Sequence, residues 1–256
     1  MDVLLSIEDK NMTQEFVEMF QKFAQKATLK LLSNGNNGIV NLGELLGYYE
    51  KKGEYTQAEI EKIATYFPAN KQWTYQDLVD YFPHNLTIKV EIIDNQLFIM
   101  PSPLTNHQDI QSDLAFEMKS FVKQNNLGKQ YNPPYDVKLP NGSVVQPDIV
   151  VVLNIHIAII TKKCIEGVPD LVVEILSQSD FETKKDNKLY HKYKHDLYEN
   201  QGITEYWTIY PEEKKVCVEV LQDGKYQIYS QGTEKGFVKS FVLEGFGIEI
   251  ENLLNY

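Results

Sequence analysis

The chain has 256 residues, 43% hydrophobic and 24% charged, with a formal net charge of −11. That length and apolar share allow one substantial core plus a smaller appendage. No apolar run approaches the ~20 residues of a membrane-spanning helix, residues 1–10 lack the basic start and apolar stretch of a secretory signal, and the two cysteines, Cys164 and Cys217, form no CxxC motif, so zinc and redox frameworks are not expected and a reducing cytoplasm is the expected setting.

The first ~85 residues carry helical periodicity. Thr13 opens a helix with Phe16, Phe20, Phe23, Ala27 and Leu31 on one side, stopped by the loop at 33–38. Asn41 with Glu44 and Thr56 with Glu59 are capping-box pairs, and Thr74 with Asp77 starts a short helix through Phe82. Two helix-loop-helix units are expected, so residues 1–71 read as a small all-helical N-terminal region. Its loop at 33–44 partly resembles a calcium-binding EF-hand. Gly38 stands at the turn, Val40 at the apolar position, Asn37 and Asn41 at ligand positions and Glu44 at the bidentate end. Ser33 and Gly35 depart from that pattern, and the loop offers one carboxylate. Helical packing or contact with a partner is therefore the favoured reading of this region.

From residue 88 the pattern changes to mixed α and β. Strands at 88–93 and 97–100 flank the tight-turn pair Asp94-Asn95, and a helix follows at about 105–126 with Ile110, Leu114, Met118, Phe121 and Val122 at helical spacing. Asn141-Gly142 marks another hairpin. Strands at 149–153 and 171–176 are apolar without alternation, which predicts cover on both faces, as at the centre of an α/β sheet. A polar helix is expected over 183–200, then strands at 204–210, 215–221 and 226–230, the last two joined through Asp223-Gly224.

Glu174 stands alone inside the apolar strand LVVEIL, and Asp148 opens the other apolar strand just after Pro147. A carboxylate covered on both faces costs several kcal/mol in lost hydration unless a cation or hydrogen bonds offset it. Two carboxylates on neighbouring central strands can hold one Mg²⁺ and leave room for water and a phosphate oxygen. A nearby lysine can orient that water and stabilise the transition state. Lys184, Lys185, Lys188, Lys192 and Lys194 lie on the following helix; for most, a solvated face is the simpler role.

The acidic charge weighs against a DNA-binding surface, where phosphate neutralisation usually supplies most of the affinity. All 25 basic residues are lysine, and the missing arginine lowers the expectation of strong base-specific readout.

Several stretches in order resemble the Uma-two restriction-endonuclease family: GVPDLVVEILSQS at 167–179, KHDLY at 194–198 and GITEYW at 202–207, supported by TYQDL at 74–78, VEIIDNQLFIMPSP at 90–103 with His107 after it, QPDIVVV at 146–152 and GKYQI at 224–228. The likeness covers roughly 72–256, taken as the nuclease domain, and omits 1–71. It implies an α+β or α/β restriction-endonuclease-like PD-(D/E)xK fold, one mixed central sheet flanked by helices. It further implies metal ligation by Asp148 and then Glu174, with Glu91 and His107 bordering the site. Taken alone, Glu91 fits an exposed strand face equally well, and His107 fits a surface position at a helix start.

The superfamily's lysine would stand at 176, where this chain has leucine; the family is thought to draw it from the following helix. Counting forward from Glu174 reaches Lys188, and counting back from Gly202 reaches Lys194. The backward count is preferred, because Tyr198 then shares a helical face with Lys194. Asp94-Asn95 replaces the usual Asp-Gly, and 179–194 is longer than usual. The expectation is a Mg²⁺- or Mn²⁺-dependent endonuclease acting on DNA, with Asp148, Glu174 and Lys194 as catalytic residues and Lys188 at the border. The alternative is a catalytically weak or inactive nuclease-fold binding or regulatory module. DNA is the expected partner; a homodimer and a protein partner for the N-terminal helices stay open.

Overall fold

The computed structural model describes residues 40–41, 72–81, 89–100, 103–176 and 184–255. The described residues form a mixed α/β structure with two mixed six-stranded sheets and few helices. The expected helix-loop-helix units, their EF-hand-like loop and most of the N-terminal region lie outside these residues. The exception is β1 (Val40–Asn41), which pairs antiparallel with Ile99 and Phe98. In those two residues the chain is strand, and the helix that Asn41 is expected to cap lies outside the described residues.

Helix α1 (Tyr75–Tyr81) begins at the expected capping box. The Thr74 N–H donates to Asp77 Oδ2 at 2.8 Å and the Asp77 N–H to Thr74 Oγ1 at 3.3 Å. The hairpin of β2 (Lys89–Ile93) and β3 (Gln96–Met100) turns on Asp94 and Asn95, at φ 48° and 64°. Both residue types tolerate that left-handed backbone. Helix α2 (Thr105–Gln124) follows, then β4 (Gly128–Tyr131), β5 (Val137–Lys138) and β6 (Val144–Val145). Gly128 is required where β4 crosses β7, because a Cβ there would stand 2.1 Å from the Val152 carbonyl oxygen.

Strand β7 (Ile149–Leu153), a 3₁₀ turn (Asn154–Ile159), β8 (Ile165–Glu166) and β9 (Leu171–Ile175) lead to helix α3 (Lys184–Gln201). Strands β10 (Glu205–Tyr210), β11 (Lys215–Gln222) and β12 (Lys225–Thr233) complete the second large sheet. A two-stranded sheet of β13 (Phe237–Lys239) and β14 (Gly247–Glu249) precedes the short α4 (Ile250–Leu253).

The first sheet runs β1-β3-β2-β6-β5-β8 and the second β12-β11-β10-β9-β7-β4. The expectation of one central sheet is thus corrected to two. The break falls at residues 146–148, between β6 and β7. Pro147 has no N–H to give a ladder, and the Gln146 N–H is taken by Glu91 at 2.8 Å. The chain turns this corner from one sheet into the other, with Asp148 at its end.

Strands β7 and β9 are covered on both faces, as their unbroken apolar runs predict. Ile149, Val151, Leu171 and Val173 pack with Ile110, Leu114, Met118 and Val122 of α2. Val150, Val152 and Val172 pack with Tyr190, Leu197 and Tyr198 of α3. Ile93, Phe98, Val137 and Val145 join this second cluster, so α3 is the element over which the two large sheets meet. Each fully buried aliphatic side chain here contributes roughly 1.5–3 kcal/mol relative to exposure. Among the described residues, no helix is long and apolar enough to cross a membrane.

Candidate active site

Strands β7 and β9 run antiparallel with Ile149 opposite Val173 and Val150 opposite Val172. Continuing that register by one position sets Asp148 opposite Glu174. The Ile175 N–H donates to Asp148 Oδ2 at 2.8 Å, closing the ladder through a side chain. Both carboxylates are nearly buried, at 6% and 5% exposure. The burial inferred for Glu174 from its apolar strand is therefore present, and Asp148 is brought beside it.

Glu91 is not on an exposed face. It is wholly buried, because β2 turns Glu91 and Ile93 toward α3. Its Oε1 accepts from the Gln146 N–H and lies 3.1 Å from Lys194 Nζ, while the Tyr190 hydroxyl donates to its Oε2. Lys194 is also wholly buried, and its Nζ lies 2.6 Å from Glu174 Oε1. The Tyr198 hydroxyl donates to that same oxygen at 2.7 Å. Lys194 and Tyr198 thus share the helix face that their four-residue spacing predicts. The Lys188 side chain lies outside the described ones.

From the opposite side, His107 Nε2 lies 3.2 Å from Asp148 Oδ2, and Gln111 Nε2 donates to the Asp148 carbonyl at 2.8 Å. His107 is buried rather than on the surface, and its Nδ1 is buried without a partner among the described residues. Lys89, absent from the expected set, brings its Nζ to 3.4 Å from Glu91 Oε1 and 3.9 Å from Asp148 Oδ1. It stands two residues before Glu91, so the period-two alternation of a strand could have found it. Tyr190 was overlooked because a buried phenol on a helix reads as core; its hydroxyl partner lies on a distant strand.

The charges are unequal in effect. Burial pushes the Glu91 carboxyl up, but Lys194, Lys89 and the Tyr190 and Gln146 donors outweigh it and hold the group at about 2. Burial also opposes ionisation of Asp148, yet His107, Lys89 and the Ile175 N–H bring its pKa below the ordinary range. Glu174 goes the other way. Its burial, with repulsion from Asp148 and Glu91, outweighs Lys194 and Lys89 and raises its pKa. His107 is raised too, since Asp148 outweighs the cost of burying an imidazolium. Burial and the adjacent carboxylates keep Tyr190 and Tyr198 as neutral donors.

Three buried carboxylates gathered here, Glu91, Asp148 and Glu174, suit a cation. Carboxylate oxygens are the ligands that Mg²⁺ and Mn²⁺ favour. Among the described residues, no three His, Cys, Asp or Glu side chains gather as a ready ligand set. An ion would therefore rest on Asp148 and Glu174 with water completing its shell, the mode usual for Mg²⁺. The donor chemistry fits.

A two-sheet α/β fold thus carries Asp148 and Glu174 on adjacent strands, with Lys194 of α3 bridging Glu174 and Glu91. The chain belongs to the Uma-two family, described as "Putative restriction endonuclease", whose pattern matches residues 74–251. It also resembles the crystal structure of a "putative nuclease" from Anabaena variabilis. The two are 20% identical with a TM-score of 0.56, and the match covers 72% of this chain and 98% of that one. That likeness is one of fold. No curated protein matches the chain.

Proposed function

We propose that the chain is a metal-dependent endonuclease that hydrolyses DNA phosphodiester bonds on a restriction-endonuclease-like PD-(D/E)xK fold. The observation that carries this reading is the buried opposition of Asp148 and Glu174, with Lys194 Nζ 2.6 Å from Glu174. Asp148 and Glu174 would hold Mg²⁺ or Mn²⁺. Such an ion, when bound, supplies positive charge at the scissile phosphate and acidifies the attacking water.

The chain's own residues set the stage for that chemistry. Lys194 favours the ionised form of Glu174 against its burial, and Tyr198 fixes the orientation of Oε1. His107 and the Ile175 N–H hold Asp148 Oδ2, leaving Oδ1 facing Lys89. Helices α2 and α3 cover the two strand faces and exclude bulk water, which strengthens each electrostatic interaction. Hydrolysis adds the water oxygen to phosphorus and breaks the bond to the leaving strand.

The complete internal pairing of Lys194 favours a second reading, a nuclease-fold module that binds DNA or a regulatory partner without useful turnover. Supercoiled plasmid incubated with Mg²⁺, Mn²⁺ or EDTA separates the two. Nicking that EDTA abolishes supports the endonuclease. Intact plasmid under every metal condition supports the binding module.

A further inference from the structure

The cluster contains two lysines placed differently. Lys194 has no exposure and two close carboxylates, at 2.6 and 3.1 Å. Lys89 keeps 22% of its side chain exposed, and its carboxylate contacts are longer, at 3.4 and 3.9 Å. One ammonium is an internal counter-ion. The other is partly exposed, on the β2 face that it shares with Glu91.

We propose that Lys89 is a substrate-binding lysine that takes a phosphate oxygen of the nucleic-acid backbone and, when no nucleic acid is bound, occupies the space beside Asp148. The inference rests on the nuclease reading and assigns it a second, separate lysine.

The reasoning is geometric. The contact of 3.9 Å to Asp148 is too long for a hydrogen bond, so the Lys89 head gives up chiefly its 3.4 Å ion pair with Glu91 when it turns outward. Glu91 then keeps Lys194, Tyr190 and the Gln146 N–H, which together occupy both its oxygens. Lys194 could reach a phosphate only by abandoning two buried carboxylates, which costs several kcal/mol. A flexible stem with a strongly hydrated point charge is suited to phosphate contact. In a chain of net charge −11, one such contact beside the acidic pair has a large local effect. It follows that Lys89 also competes with a divalent ion for Asp148.

Two comparisons test this, both without turnover. The first measures binding of a fluorescent DNA duplex in EDTA across a salt series, for wild type, Lys89→Gln and Lys89→Arg. Loss of one phosphate contact should weaken binding of the Gln variant several-fold and flatten its log–log salt slope by about 0.9, with Arg restoring the slope. The second titrates Mn²⁺ calorimetrically without DNA, where Lys89→Gln should bind it several-fold more tightly. An unchanged salt slope in Lys89→Gln overturns the proposal, as does weaker Mn²⁺ binding, the result expected if Lys89 only holds the carboxylates in shape. A wild type that binds DNA but never cuts it defeats the nuclease reading alone, and the slope still decides Lys89.

Discussion

Lys194 and Glu174 form a buried ion pair, Nζ to Oε1 2.6 Å, that joins helix α3 to the central strand β9. Glu91 shares the same ammonium from the other sheet at 3.1 Å. Lys194→Met should therefore leave two buried carboxylates without their counter-charge. Breaking a buried pair in this way costs about 3–5 kcal/mol, which urea denaturation would record. Adding Glu174→Gln to Lys194→Met should recover part of that loss. Equal stability of the single and double variants would show that the pair carries no coupling. In the folded Lys194→Ala protein, DNA cleavage at saturating Mn²⁺ should fall by about 10²-fold, because Glu174 loses the counter-charge that favours its ionised form.

The metal prediction concerns Asp148 and Glu174 themselves. Either alanine substitution should abolish Mn²⁺ binding in a calorimetric titration. Neither should unfold the domain, because each also relieves repulsion between the two carboxylates. The raised pKa of Glu174 adds a pH dependence. Protons compete with the ion for this group, so Mn²⁺ affinity should rise as pH climbs past the ordinary carboxylate range. Affinity independent of pH from 5 to 8 would remove Glu174 from the ligand set.

Glu91 gives the acid-stability prediction. Its folded pKa of about 2 lies below the ordinary 4.5, so the folded state favours its ionised form. The stability contributed is fully present above about 4.5 and is lost as pH falls toward 2. A difference of this size corresponds to about 3 kcal/mol. Glu91→Gln should be less stable than wild type by that order at pH 7, and the gap should close in acid. A gap constant with pH would show that Glu91 contributes packing and not charge.

Glu205 supplies a control outside the site. Its carboxylate accepts from the Trp207 indole, from Ser240 Oγ at 2.7 Å, from the Phe241 N–H at 2.7 Å and from the Val242 N–H at 2.5 Å. It thus pins the loop before β14 to the start of β10. Glu205→Ala should cost on the order of 3 kcal/mol through stranded donors. Mn²⁺ affinity should not change in the folded protein.

Much of this arrangement was legible in the residues, because local patterns encode it. The Thr74–Asp77 box, the Asp94-Asn95 turn and the apolar runs of β7 and β9 each carry their own signal. Glu174 could be read as buried because its strand neighbours on both faces are apolar. The shared face of Lys194 and Tyr198 follows from helical spacing. What could not be read depends on contacts between distant segments. The division into two sheets turns on the Gln146 N–H leaving the ladder for Glu91, 55 residues earlier. Glu91 itself looked equally suited to solvent until α3 covered it. The C-terminal β13, β14 and α4 are short, so periodicity had too few residues to register.

The central claim is that Asp148 and Glu174 form a metal-dependent DNA-cleaving centre. It is tested most directly by single-turnover cleavage of a labelled DNA duplex with Mn²⁺, comparing wild type with folded Asp148→Ala and Glu174→Ala. The prediction is cleavage by the wild type that EDTA stops and that both variants lack. Cleavage that survives in either variant, or a wild type that leaves the duplex intact, would contradict the account.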